Sequence, residues 1–204
     1  MKAMKTAVLA TSMAGLMASS ITFAAPNEAP DVFIQRISDS LVNQLKANKT
    51  KLNDPKVINS IVKNYIEPHV DEKTIARLVM GDFYKKSTTE QKTQFTYNFR
   101  DSIMKTYAMG LSEYSGQKYK VRSYKKTDAT YPVVTMDFET ANGSKVPVAF
   151  QLADQNSQWK IRSLSVNGIN LALTFRDQFK STVDKNGGNL DKAIASFKPN
   201  AEAK

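Results

Sequence analysis

Between Tyr114 and Tyr119 the spacing of apolar residues changes period, and this switch limits the folds open to the chain. Upstream, apolar side chains return every third or fourth residue; downstream, as far as Val166, they alternate. A period of about 3.6 lays side chains along one stripe of a helix, whereas a period of about 2 lays them on one face of a strand. The chain therefore reads as helices, then strands, then helices again from Leu171.

The helical half carries its own punctuation. Phe33, Ile37, Leu41 and Leu45 form a stripe that Ile34 and Val42 widen, with Asp31 as the expected cap. Asp54-Pro55 starts a second helix bearing Val57, Ile58, Ile61, Val62 and Tyr65, which Pro68 ends. Asp71 caps a short helix that stops at Gly81. Ser87 with Glu90 offers a capping box for a long helix reaching about Tyr114. Phe95, Phe99, Ile103, Tyr107 and Leu111 share one face of it.

The strand half alternates cleanly. Tyr119 and Val121 share a face; so do Val134, Met136 and Phe138, and so do Val146, Val148, Phe150 and Leu152. Asn142-Gly143 joins the second and third runs as a hairpin turn. In the run from Trp159 to Val166, Trp159 and Ile161 are out of phase with Leu164 and Val166, so a bulge is expected near Ser163. After Asn167-Gly168, Leu171, Phe175 and Phe179 mark one helix, and Leu190, Ile194 and Phe197 a shorter one. From about residue 199 the tail is polar. The expected architecture is one α+β domain over residues 25–204, with helices packed on a four-stranded antiparallel sheet.

Residues 1–24 read as a secretory signal peptide. Lys2 and Lys5 precede an apolar run from Ala7 to Ala18 that is too short to span a bilayer, and Thr22-Phe23-Ala24 supplies the small residues of a cleavage site. The sequence has no cysteine, so an exported chain must be stabilised by packing and has no thiol to lipidate. The style of signal points to a periplasm. The net charge of +10 suits a solvated surface or an anionic partner, but no Arg/Lys cluster marks a nucleic-acid reader.

Motifs for chemistry are missing from the sequence. The one histidine, His69, sits beside Pro68 with no nucleophile at motif spacing and reads as structural. There is no nucleophile elbow, phosphate loop or metal-spaced His/Cys set. Asp137 and Glu139 share the polar face of a strand, where a solvated pair is the plainer reading and a catalytic pair the sharper one.

Five stretches together resemble the MlaC, or toluene-tolerance, family of periplasmic phospholipid-binding proteins. They are "NYIEPHVD" (Asn64 to Asp71), "GDFYKKSTTEQKTQF" (Gly81 to Phe95), the helix through Phe99, Tyr107 and Tyr114, "WKIRSLSVNGIN" (Trp159 to Asn170), and Phe179 with the Gly188-Asn189-Leu190 turn. The likeness runs from about Val32 to Phe197. It implies a soluble monomeric shuttle for phospholipid between inner and outer membranes that maintains outer-membrane lipid asymmetry. It implies an inner-membrane Mla ABC transporter complex, met through its MCE-domain subunit, and an outer-membrane Mla lipoprotein held with a porin as partners. No catalysis, metal or cofactor is implied beyond the bound phospholipid itself.

On this resemblance the apolar faces gain a role. Val134, Met136, Phe138, Val146, Val148, Phe150, Trp159 and Ile161 are expected to form one wall of a lipid cleft. Phe95, Phe99, Ile103, Tyr107 and Leu111 are expected to form the facing wall, with Leu171 and Phe175 at one end. Alternation alone is equally satisfied by an ordinary filled core. A small enzyme acting on a hydrophobic substrate in the same cleft is the alternative, and it would need an ionisable side chain inside the cavity.

Overall fold

The computed structural model describes residues 28–127, 129–140 and 142–200; for 107–109 and 112 it describes the backbone alone. The expected signal peptide, the last residues of the tail and the side chain of Tyr107 lie outside the described residues.

Helix α1 (Pro30–Ala47) begins with proline at its first position and Ala29 at its cap. Asp31 is not the cap. It sits in the first turn, and its carboxylate accepts from the Tyr124 N–H at 3.0 Å, which ties α1 to the chain leaving the first strand. Asp54 and Asp71 do cap α2 (Pro55–Tyr65) and α3 (Glu72–Met80), accepting from the Lys56 and Thr74 N–H groups. At Gly81 the chain turns at once into α4 (Asp82–Lys86). There φ is +55°, and a Cβ would stand 3.1 Å from the Arg176 side chain, so glycine suits the position twice over.

Helix α5 (Thr89–Ser112) has a true capping box, displaced by one residue from the expected one. Thr88 and Gln91 exchange bonds of 3.1 and 3.2 Å, while Ser87 instead donates to the Phe83 carbonyl at the end of α4. Helix α6 (Leu171–Lys185) and α7 (Leu190–Ser196) are capped by Asn170 and Asn189.

The sheet is an antiparallel meander, β1 (Tyr119–Val121), β2 (Val133–Glu139), β3 (Lys145–Gln155), β4 (Gln158–Val166) and β5 (Ile169–Asn170), in sequence order. Five strands replace the expected four. The Asn167-Gly168 turn, both residues at positive φ, returns two residues of chain that pair with Ser165 and Val166. The bulge falls where the phase change requires it: Ser163 faces Gln151 and Ile161 faces Leu152, leaving Arg162 as the extra residue.

Three apolar clusters hold these elements. The largest is wholly helical. Met80 of α3, Phe95 of α5, Phe175 and Phe179 of α6, Ile194 of α7 and Phe197 meet there, with Phe95 1 % exposed and its ring centroid 4.8 Å from that of Phe179. The second joins Phe33 and Ile34 of α1 to Val134 and Leu152 on the sheet. The third joins Leu45, Leu52, Ile58 and Ile61, with Leu111 and Tyr114 from the end of α5 against it.

Candidate functional site

Register puts one continuous apolar face on the sheet. Tyr119 and Val121 stand beside Phe138 and Met136, which stand beside Val146 and Val148; Val134 stands beside Phe150, and Phe150 beside Leu164. Helix α1 lies along this face, and the fit changes along its length. Near the N-terminus it is closed: Phe33, Ile34, Val134 and Leu152 are each at most 2 % exposed. Further along the fit loosens: Ile37 still packs against this cluster, and beyond it Leu41 and Val42 line a gap.

The gap is a partly open cleft of about 400 Å³. Its α1 wall is Ile37, Ser38, Leu41, Val42 and Leu45, and its sheet wall is Tyr119, Met136, Phe138, Phe150 and Ile161. The ends of α2 and α5 close it with Tyr65, Ile66, Leu111 and Tyr114. The lining is predominantly apolar and the volume falls in the range of about 300–1,000 Å³ usual for small-molecule sites.

The polar groups at the cleft are few. Ser38 donates weakly to the Met136 sulfur at 3.8 Å. Gln117 and Thr140 make hydrogen bonds within their own turns, and Glu113 contributes an exposed carboxylate. The Tyr119 hydroxyl donates to Asp39; burial, and then that bond, push its pKa well above the ordinary phenol value.

The residues expected on the sheet wall fall in three places. Met136, Phe138, Phe150 and Ile161 line the cleft. Val146 and Val148 share their face but stand beside the gap. Val134 and Trp159 belong to the closed end, where Trp159 donates its indole N–H to the Glu28 carbonyl at 2.9 Å.

The facing wall differs from the expectation. Phe95, Phe99, Ile103, Leu171 and Phe175 pack into the helical cluster with α3, α6 and α7, away from the cleft. Among the described side chains of the α5 set, only Leu111 reaches it, at the helix end. The helix opposite the sheet is α1. Its stripe was visible in the sequence, but two helices with equal stripes compete for one sheet, and spacing does not say which one wins. Phe33 and Ile34 packed on Val134 and Leu152, together with the Asp31–Tyr124 and Tyr119–Asp39 bonds, hold α1 in that place.

The candidate titratable groups sit elsewhere. His69 packs edge-on against Phe33, centroids 5.5 Å apart at 81°. Its pKa is lowered, first by burial and then by the Arg36 and Lys160 charges. Asp137 lies on the opposite face of the sheet, where the Arg122 guanidinium bonds both its oxygens at 2.6 and 2.9 Å and lowers its pKa. Among the described residues no cluster of three His, Cys, Asp or Glu side chains is placed to hold a metal ion, and no helix is long and apolar enough to cross a membrane.

The model of the MlaC protein family matches residues 35–198. The chain belongs to the MlaC family. Among its relatives, the toluene tolerance protein ttg2D of Pseudomonas putida is 34 % identical over 169 residues, 82 % of this chain and 79 % of that protein. The intermembrane phospholipid transport system binding protein MlaC of Haemophilus influenzae is 25 % identical over 178 residues, covering 85 % of this chain and 82 % of its own length. The fold is also that of a phospholipid-binding protein from Ralstonia solanacearum solved in complex with a phospholipid. The TM-score is 0.76 at 22 % identity, with 82 % of this chain and 94 % of that chain covered. The family resemblance read from the five sequence stretches is thus confirmed.

Proposed function

We propose that this MlaC-family protein is a soluble periplasmic carrier. It encloses the acyl chains of a phospholipid between α1 and the sheet and shuttles the lipid between inner and outer membranes, so maintaining outer-membrane lipid asymmetry. The observation that carries the reading is the apolar cleft itself, which the short alternating strands wall on one side and Ile37, Leu41 and Val42 on the other. The names of the relatives, one an intermembrane phospholipid transport protein, and the phospholipid-bound structural neighbour support it.

The energetics explain why such a carrier needs a covered cleft. Two acyl chains with about 30 methylenes forfeit roughly 24 kcal/mol if exposed to water, at ~0.8 kcal/mol each. A bilayer shelters the same methylenes, so the cleft must match it without exceeding it by much, and loading and release must be driven at each membrane. An inner-membrane Mla ABC complex reached through its MCE-domain subunit, and an outer-membrane Mla lipoprotein with its porin, are the partners this reading assigns. The protein acts as a monomer, without catalysis and without a cofactor other than its cargo.

Organic-solvent extraction of natively purified protein, followed by mass spectrometry, tests the proposal. Stoichiometric phospholipid is expected. Its absence, together with no uptake from liposomes, would overturn the carrier reading.

A further inference from the structure

Arg162 is the extra residue of the β4 bulge and is only 8 % exposed. Its Nε–H is buried without an acceptor, and none of the ion pairs among the described residues includes it. The more exposed Arg36, Arg100 and Arg122 each face a carboxylate. An arginine cannot shed its charge as a buried lysine can, so a largely buried guanidinium without a counter-ion is costly. The bulge aims the side chain, with Ser163, to the sheet face away from the cleft. There its guanidinium carbon lies 3.5 Å over the Tyr131 ring. Tyr131 remains 37 % exposed and Val133, on the same face, 48 % exposed. A central buried arginine stacked on tyrosine, with an apolar shoulder, is the composition of an interface hot spot.

We propose that this outer face of the sheet is a protein-docking surface, and that its partner presents an acidic segment whose carboxylate meets the Nη groups of Arg162. The missing negative charge sets the partner's chemistry, and the net charge of +10 adds to it at long range. A side chain bearing a carboxylate on an apolar stem fits both Arg162 and the Tyr131–Val133 shoulder, whereas a bare anion would use only the first. The surface lies on the other side of the sheet from the lipid cleft, so it stands or falls independently of the carrier reading.

The test titrates the isotopically labelled protein with a tetraglutamate peptide, reading the Arg162 Nε–H signal and the Tyr131 and Val133 amides by NMR. Saturable shifts there are expected, with Arg162→Met weakening binding about ten-fold or more and Lys120→Gln affecting it far less. Because the charge is uncompensated in the free protein, Arg162→Met is also expected to keep or raise the thermal midpoint. Shifts centred on residues 118–126, the same saturable shifts with inorganic phosphate alone, or no shifts at all would overturn the proposal. So would a fall in the midpoint of Arg162→Met, which would make the arginine a structural residue.

Discussion

The Tyr119 hydroxyl hydrogen-bonds the Asp39 carboxylate, and so joins the sheet's edge strand to the middle of α1 beside the cleft. Helix α1 is otherwise held to the sheet at its first turns, through Phe33, Ile34 and the Asp31–Tyr124 bond. Removing the Tyr119 bond should therefore loosen the cleft without detaching the helix. Tyr119→Phe is expected to lower stability by about 1 kcal/mol, a fall in thermal midpoint of about 2–4 °C, and to speed transfer of a fluorescent phospholipid between protein and vesicles. A variant that exchanges lipid at the wild-type rate would show that this contact does not restrain the cleft.

Two phenylalanines that look alike in the sequence should behave oppositely. Phe150 lines the cleft, whereas Phe99 stacks on Phe95 and Phe197 and meets Phe175 edge-on in the helical cluster. Phe150→Glu is expected to leave a folded protein that recovers little phospholipid. Phe99→Ala, at a position partly buried against that cluster, should cost up to about 3 kcal/mol in denaturant unfolding, yet its folded fraction should carry lipid normally. Circular dichroism with lipid extraction of both variants distinguishes this arrangement from one in which α5 walls the cleft.

This contrast marks how much the sequence discloses. Alternation assigned Met136, Phe138, Phe150 and Ile161 to one face correctly, because a strand has only two faces and period alone decides between them. The bulge at Arg162 and the Asp54 and Asp71 caps were legible for a similar reason: each is a local rule acting over a few residues. Which helix covers the sheet is not local. The stripes of Ile37–Leu41 and Phe99–Ile103 are equivalent as patterns, and the choice rests on contacts such as Asp31 with Tyr124, 93 residues apart. The cleft itself is a lack of fit between two apolar surfaces, and no period records it.

His69 gives a pH dependence with a defined sign. Burial and nearby cations lower its pKa below the ordinary 6.5, so the unfolded chain binds the proton more readily than the folded one. Its contribution to stability is complete above 6.5 and declines as pH falls through that value toward the lowered folded pKa. His69 is the only histidine, so thermal midpoints measured from pH 7 to pH 5 should fall more steeply for the wild type than for His69→Gln. Parallel curves would contradict the assignment.

The most direct measurement photolyses a phospholipid bearing a diazirine in its acyl chain while it is bound to the protein, and maps the adducts by mass spectrometry. The account predicts labels on the cleft walls, at Ile37, Leu41 and Val42 of α1 and at Met136, Phe138 and Phe150 of the sheet. Labels concentrated instead on Phe99, Phe175 and their neighbours in the helical cluster, or on the Arg162 face of the sheet, would contradict it.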